Sequence, residues 1–133
     1  MNITTLSQEK PVPVMIFQIE GAIDVQSADD LLQEARAAID AGSQNLLLDL
    51  DKVTFLSSSG LRAIHQIFMM LRDDTPEEED AAVFGGISAG TYKSPRLKLL
   101  NPSSGVQSVL KMSGFDMFLD IYRDRKAALA SFG

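Results

Sequence analysis

The chain has 133 residues, of which 45% are apolar and 23% are charged, and its formal net charge is −6. This length and apolar content suit a single domain with its own core. The acidic balance argues against nucleic-acid binding, which needs a clustered basic face. The chain has no cysteine and one histidine. These counts exclude disulfides, thiol catalysis and Cys- or His-rich metal sites, so we expect neither a metal nor a cofactor.

The N-terminal segment carries no targeting signal that we can identify. Residues 1–5 lack both the basic start and the apolar stretch of a signal peptide. No uncharged apolar run approaches the ~20 residues that a membrane span requires. We therefore expect a soluble, cytoplasmic protein with no membrane insertion.

The first two predicted elements are strands. Residues 2–7 predict a weak strand that pairs as a hairpin with a stronger one over residues 13–19, which is rich in β-forming side chains. Pro11 and Pro13, near the start of the second strand, favour an edge position or the beginning of a strand over a central position. Residues 20–24 predict a turn.

A helix, a buried strand and a second helix follow. Ser27 is a suitable N-cap for the first helix, and Gly42 is a natural stop. Residues 45–50 are nearly all apolar, which predicts a strand that is covered on both faces of a sheet. The second helix is predicted to run from Ser59 to about Arg72.

The segment 73–94 differs in composition from what precedes it, because it combines an acidic run, a proline and many small residues. We interpret it as a long surface loop inserted into a single domain that spans residues 1–133. The elements predicted beyond it are, in order, a strand over 96–101, a helix capped by Ser103 or Ser104, a strand over 118–122 and a final helix capped by Asp124.

The order of these elements predicts the fold class. Helices alternate with strands after an N-terminal hairpin, and such alternation implies parallel strands joined by helical crossovers. We therefore predict an α/β fold: one domain with a mixed, mostly parallel sheet of four to five strands and about four helices.

The segment Ser57-Ser58-Ser59-Gly60 stands where the second helix begins. The free N–H groups and the positive dipole end of a helix stabilise an anion at such a position. Ser58 and Ser59 are therefore either N-caps or phosphate acceptors. Gly60 has no side chain to obstruct the approach of a partner or a phosphate.

A catalytic role for these serines is disfavoured by their surroundings in the sequence. A nucleophilic serine needs an adjacent base. His65, the only histidine, follows Ser59 by six residues, which is about 9 Å along a helix axis. We therefore expect no catalytic residue, no enzymatic activity and an ordinary surface position for His65.

The stretch from Asp49 to Leu61 resembles the signature of the STAS domain, in which a strand, a turn and an Asp-Ser-Ser-Gly or Asp-Ser-Thr-Gly motif precede the second helix. Other segments are similar to that family in the same order: residues 20–24 resemble its Gly-x-Leu-Asp turn, and residues 99–102, 109–115 and 118–129 resemble its later strands and helices. The resemblance covers nearly the whole chain except residues 73–94.

The resemblance implies a function as an anti-sigma-factor antagonist. Members of that group bind an anti-sigma factor that is also a serine kinase, and phosphorylation of the hydroxyl residue before the glycine breaks the complex. Carried over by position, the acceptor is Ser59, with Ser58 as the alternative and Asp24 as the turn aspartate expected nearby. A phosphatase is a further candidate partner, and a homodimer is left open.

Ser57 departs from the family pattern, because an aspartate is expected at its position. The loss of that carboxylate supports an alternative interpretation, in which the domain is not phosphorylated and serves as a scaffold or as a transporter-associated interaction subunit.

The second helix predicts two faces. At 100° per residue, its larger apolar side chains share the side that packs on the sheet; these are Leu61, Ile64, Ile67, Phe68 and Leu71. Arg62, Gln66 and Met69 point the other way. An outward methionine beside polar side chains suits a partner-binding surface, so we predict that Arg62, Gln66 and Met69 bind a partner together with Asp24, Ser57, Ser58 and Gly60.

Overall fold

The computed structural model describes residues 1–73 and 93–133 of the chain. Its sheet contains five strands in the order β1-β2-β3-β4-β5. They are Asn2–Gln8, Val14–Ile23, Leu46–Leu56, Leu97–Leu100 and Ile121–Tyr122. Strand β1 pairs antiparallel with β2, and the remaining pairs are parallel. The predicted α/β class, with a mixed and mostly parallel sheet, is confirmed.

Four α-helices are found within the described residues. Helix α1 spans Val25–Asp40, α2 spans Ser58–Asp73, α3 spans Ser104–Met112 and α4 spans Arg125–Ala130. A 3-10 turn, Phe115–Met117, follows α3. None of these helices is long and apolar enough to cross a membrane. The predicted loop over 73–94 lies, from residue 74 to 92, outside the described residues.

Strand β2 is longer than the sequence predicted. It continues through residues 20–23, where a turn was expected. Gly21 adopts a positive φ of 101°, and the pairing with β3 shifts register on both sides of it. A glycine in this conformation lets a strand bulge and continue. Pro11 and Pro13 precede the first residue of β2, so they mark the beginning of an inner strand.

Two other strands also differ in extent from the prediction. Strand β3 runs past residue 50 to Leu56, with Val53 and Leu56 buried. The predicted strand over 118–122 is confined to Ile121–Tyr122. The backbone N–H of Phe118 instead donates to the carbonyl of Phe115 at 3.3 Å, which closes the 3-10 turn. Phe118 and Leu119 are both buried in the core. They enter it from this turn rather than from a strand.

The sheet is covered on both faces. The larger core lies between one face and helices α1, α2 and α3, and it includes Phe17, Leu31, Leu48, Ile64 and Leu110. The smaller core lies under α4, where Ala128 and Leu129 pack on Val14, Ile16, Leu47 and Leu100. Helices α1 and α2 follow the parallel strands β2 and β3, so both helices begin at the same edge of the sheet.

The N-termini of helices α3 and α4 are capped by residues that the sequence predicted. Ser103, one of the two predicted alternatives, accepts a hydrogen bond from the N–H of Val106 at the start of α3. Asp124 caps α4 by accepting from the N–H of Ala127 at 2.9 Å. Both predictions rest on the preference of N-caps for short polar side chains.

Candidate functional site

The candidate site lies at the end of the sheet that is formed by the carboxyl-terminal ends of β2 and β3. Ile23 and Leu56, the last residues of the two strands, are paired in the sheet. Helix α1 begins two residues after Ile23, and α2 begins two residues after Leu56. The first turns of the two helices, which contain the predicted site residues, therefore lie next to each other.

Asp24 is the N-cap of α1. Its carboxylate accepts hydrogen bonds from the N–H groups of Gln26, at 3.1 Å, and Ser27, at 3.0 Å. The hydroxyl of Ser27 accepts in turn from the N–H of Asp24 at 2.8 Å, which completes a capping box. The prediction that Ser27 is the N-cap is wrong, because β2 continues to Ile23 and the helix begins three residues earlier than expected.

The carboxylate of Asp24 is held in its charged form. The N–H and then the hydroxyl of Ser27 are the main groups that lower the pKa of Asp24 below its ordinary value of 3.8. Hydrogen bonds to a charged carboxylate favour ionisation. The start of α1 therefore carries a negative charge throughout the neutral pH range.

Ser57 is the residue that caps α2. Its hydroxyl donates to the carbonyl of Ile23 at 2.8 Å and accepts from the N–H of Gly60 at 3.1 Å. Its own N–H also donates to Ile23, at 3.0 Å, and its carbonyl accepts from the N–H of Leu61. Ser57 thus ties the beginning of α2 to the end of β2. The expectation that Ser58 or Ser59 is the N-cap is wrong.

Ser58 and Ser59 occupy the first two positions of α2. Ser58 is exposed and Ser59 is half-buried. Among the described residues, neither serine has a hydrogen bond from its hydroxyl or from its backbone N–H. The first N–H groups of a helix have no partner within the helix. Both hydroxyls are therefore free to react, and they stand beside N–H groups that favour an anion.

Gly60 is buried, contrary to the expectation that it leaves room for a partner. A Cβ atom at this position would lie 2.6 Å from Cδ1 of Leu56 and 2.9 Å from Cγ2 of Ile23. Real side chains do not approach so closely. Gly60 is therefore required by the packing of α2 onto the ends of β2 and β3, and the protein itself fills the space beside it.

A surface groove runs between α1 and α2 from the neighbourhood of Ser59. It consists of two adjoining hollows that share Leu32 and Gln66, and we call it the α1–α2 groove. The upper hollow, of about 200 Å³, is lined by Val25, Ala28, Asp29, Leu32, Ser59, Arg62, Ala63 and Gln66. The lower hollow, of about 650 Å³, is lined by Leu32, Gln33, Arg36, Ala37, Asp40, Gln66, Met69 and Met70.

The predicted outward face of α2 coincides with one wall of this groove. Arg62 and Gln66 are exposed, as expected. Met69 is half-buried and packs against the core, so it forms part of the groove rather than an outward projection. His65 is exposed, as predicted, and its ring lies 6.1 Å from that of Phe68 and 6.3 Å from that of Phe118, measured between centroids.

Sequence reasoning missed the other wall, which α1 provides. The sequence pattern of α1 places Leu32 among its apolar side chains and gives Arg36 no particular role. Leu32 is half-buried and Arg36 is exposed. Both degrees of exposure are common on an amphipathic helix, so neither residue indicates a binding surface when α1 is considered alone. A groove is a property of two packed helices, and the pattern of one helix does not reveal it.

Comparisons with known proteins agree with this fold. The protein BtrV of Bordetella bronchiseptica, assigned as an anti-sigma factor antagonist, is 26% identical over 127 residues, which are 96% of this chain and 93% of that protein. A crystal structure from Thermotoga maritima, of a protein with the same assignment, has a TM-score of 0.74 at 17% identity, with 98% and 93% of the two chains covered.

The anti-sigma factor antagonist SpoIIAA is similar in both of its forms. Its unphosphorylated form has a TM-score of 0.66 at 17% identity, covering 94% of this chain and 93% of SpoIIAA. The phosphorylated form of the Bacillus protein has a TM-score of 0.57 at 18% identity, covering 94% and 96%. A sequence model described as the STAS domain matches residues 5–75, which include the second half of β1 and all of β2, α1, β3 and α2. This match spans more than half of the 133 residues, so the chain belongs to the STAS domain family.

Proposed function

We propose that this protein is an anti-sigma-factor antagonist that binds an anti-sigma factor with serine kinase activity. Phosphorylation of Ser59 at the start of α2 switches the binding off, and a phosphatase restores it. The role is regulatory and involves no catalysis by this chain. Membership of the STAS family supports the proposal, as does the similarity to BtrV and to both forms of SpoIIAA.

The position of Ser59 is the observation that carries the proposal. Its hydroxyl has no partner among the described residues, it stands in the first turn of α2, and it lines the α1–α2 groove. A phosphate at this position adds a charge of about −1.5 to −2. The helix dipole favours that charge, so the fold tolerates the modification while the surface of the groove changes from neutral to anionic.

Ser58 is the alternative acceptor, and the two serines differ in surroundings. Ser58 is exposed, whereas Ser59 is half-buried beside the groove. A kinase reaches Ser58 more readily, but a phosphate on Ser59 alters the surface that a partner would contact. Mapping of the modified residue distinguishes the two.

The proposal is tested by incubating the full chain with ATP and the purified anti-sigma factor kinase from the same genome. We expect a mass increase of about 80 Da, the mass of one phosphate group, that maps to Ser59 and is lost in Ser59→Ala but retained in Ser58→Ala. We also expect Ser59→Asp to weaken binding of the kinase about tenfold or more, since an uncompensated charge at an interface costs over 1 kcal/mol.

The matched control is Ser108→Asp, which adds the same charge to an exposed serine on α3, away from the groove. It should leave binding unchanged. A kinase that binds the chain without phosphorylating it, and that binds Ser59→Asp as tightly as wild type, would contradict the switch.

That outcome would favour the second candidate, a scaffold or transporter-associated STAS domain without a phosphorylation switch. The observation that favours this candidate is Ser57. Its hydroxyl donates to the carbonyl of Ile23, so Ser57 supplies no carboxylate to accept the proton of a reacting hydroxyl at Ser58 or Ser59.

A further inference from the structure

We infer that the α1–α2 groove binds one amphipathic helix of the anti-sigma factor, with an apolar stripe on the floor of the groove and two carboxylates paired with Arg36 and Arg62. The identity of the partner rests on the proposed function. The shape and chemistry of the occupant follow from the groove itself.

The floor of the groove is apolar and adaptable. Leu32, Met69 and Met70 are half-buried, so each leaves part of an apolar side chain in contact with solvent. Methionine side chains are flexible and polarizable, and they are common on surfaces that bind apolar partners. Val25, at the upper end, is 72% exposed. Burying this surface under a partner would stabilise the complex.

The length of the groove matches a helix. Its lining extends along α1 from Val25 to Asp40 and along α2 from Ser59 to Met70. Helix α1 has 16 residues, which is roughly 24 Å at 1.5 Å per residue. Two helices that begin at the same edge present parallel ridges, and a third helix of about 15 residues would pack along them.

Two arginines give the groove its charge preference. Arg36 stands on the α1 wall and Arg62 on the α2 wall, and neither makes a hydrogen bond or an ion pair within residues 1–73 and 93–133. Two acidic residues also line the groove: Asp29, near Arg62, is bonded to the side chain of Gln33, and Asp40 is the last residue of α1, one turn beyond Arg36. Exposed guanidinium groups without partners are suited to bidentate pairing with carboxylates.

The arginines also fix the spacing of the partner's carboxylates. Arg62 is the fifth residue of α2 and Arg36 is the twelfth of α1. Because the two helices begin at paired strand ends, the guanidinium groups are offset by about seven residues, or ~10 Å, along the groove. Carboxylates about six residues apart on one helix, which lie about 120° apart around its axis, would flank the apolar stripe on opposite sides and meet both arginines.

Arg62 connects this groove to the switch. It lines the upper hollow together with Ser59, one turn away on the same helix. Residues three apart on a helix are neighbours, so a phosphate on Ser59 would compete with the partner's carboxylate for Arg62. Release of the partner then follows from loss of an ion pair as well as from repulsion.

The first experiment uses a designed helical peptide of about 15 residues with leucines along one stripe and two glutamates about six residues apart, one on each side of that stripe. The full chain is labelled at its methionine methyl groups and titrated with the peptide in an NMR experiment. We expect the Met69 and Met70 resonances to shift. Met112, which is 89% exposed on α3, is the internal control and should not shift.

Two peptide controls separate the apolar and ionic contributions. A peptide with the leucines scrambled off the stripe should not bind. The double variant Arg36→Glu with Arg62→Glu should bind the glutamate peptide about tenfold more weakly and should prefer a version in which lysines replace the glutamates. Lys111→Glu, which reverses one charge at an exposed residue outside the groove, is the control for each arginine and should have no effect.

The second experiment measures binding of the anti-sigma factor kinase to the same variants. If Ser59→Asp blocks binding but the double arginine variant binds as wild type, the groove inference is wrong and the proposed function stands. If the kinase does not bind the chain at all, the proposed function is wrong. The peptide titration by itself then decides whether the groove binds an amphipathic helix. Sedimentation that shows the double variant disrupting a homodimer would mean that a second copy covers the groove, which overturns the inference.

Discussion

Helices α1 and α2 begin side by side at the same edge of the sheet, but their first turns differ at each corresponding position. The N-cap of α1 is the carboxylate of Asp24, and the N-cap of α2 is the hydroxyl of Ser57. The third helical residue of α1 is Ser27, whose hydroxyl completes a capping box, and that of α2 is Gly60, which has no side chain. One helix start carries a built-in charge, and the other has none in its first turn.

This difference shows where a new charge can act. The cap of α1 already places a carboxylate against the positive end of the helix dipole. At α2 the cap is neutral, so a phosphate on Ser58 or Ser59 would be the first negative charge at that dipole end. Because the helix itself favours the charge, the added phosphate acts on a bound partner rather than on the fold.

The largest effect is expected from giving α2 a side chain at its third position. Gly60→Ala would place Cβ within 2.6 Å of Leu56 and 2.9 Å of Ile23. Overpacking of this kind costs about 1–3 kcal/mol, whereas alanine in a helix gains at most about 1 kcal/mol over glycine. We therefore expect a net loss in the free energy of unfolding, measured by urea denaturation.

Gly105 provides the matched control. It lies in α3, and a Cβ atom there would meet nothing within 4 Å. Gly105→Ala should leave stability unchanged or raise it by up to about 1 kcal/mol. Equal effects of the two substitutions would mean that packing at Gly60 does not distinguish the start of α2.

A smaller effect is expected from giving α2 the charged cap of α1. In Ser57→Asp, the new carboxylate can still accept from the N–H of Gly60, but it cannot donate to the carbonyl of Ile23, which lies 2.8 Å from the present hydroxyl. Two acceptors would face each other, and we expect a loss of about 1 kcal/mol in the free energy of unfolding.

Ser57→Ala removes the hydrogen bonds of the Ser57 hydroxyl to Ile23 and Gly60 without adding charge. It should lower the free energy of unfolding by about 1 kcal/mol through loss of the cap. Ser58→Ala is the control, because the Ser58 hydroxyl has no partner among the described residues; its effect should lie within about 0.5 kcal/mol of zero. Stabilisation by Ser57→Asp would show that the hydrogen bond to Ile23 is not what holds the two helix starts together.

Much of this arrangement could be predicted from the sequence, because it depends on local patterns. The apolar run at 45–50, the helical periodicity of residues 61–71 and the serines before Gly60 located β3, α2 and the candidate switch. The family resemblance pointed to the same segment. What the patterns could not supply were contacts between segments that are distant in the sequence.

The capping residues illustrate the limit. Asp24 and Ser27 are both good N-caps three residues apart, and only the continuation of β2 along β3 through the bulge at Gly21 decides between them. The role of Ser57 depends on the carbonyl of Ile23, 34 residues earlier. The burial of Gly60 depends on how α2 packs on Leu56 and Ile23, which the composition of its helix does not determine.

The smallest effect is expected from removing the charge of the α1 cap. Asp24→Asn keeps a side-chain oxygen that can accept from the N–H of Ser27, so the difference from wild type reports the charge alone. The pKa of Asp24 is lowered on folding by hydrogen bonds from Ser27. A lowered pKa stabilises the fold above the unfolded value and loses that contribution as the pH falls through the folded value.

Wild type should therefore be slightly more stable than Asp24→Asn at neutral pH, and the difference should disappear as the pH falls below the ordinary value of 3.8. Urea midpoints measured from about pH 7 to about pH 2 would show the two curves converging. NMR titration of the Asp24 carboxyl gives an independent check, because Ser27→Ala removes one of its donors and should raise its pKa towards 3.8. Parallel stability curves down to the acid limit would mean that the charge of Asp24 does not stabilise α1, and the contrast with the neutral cap of α2 would then lie in packing alone.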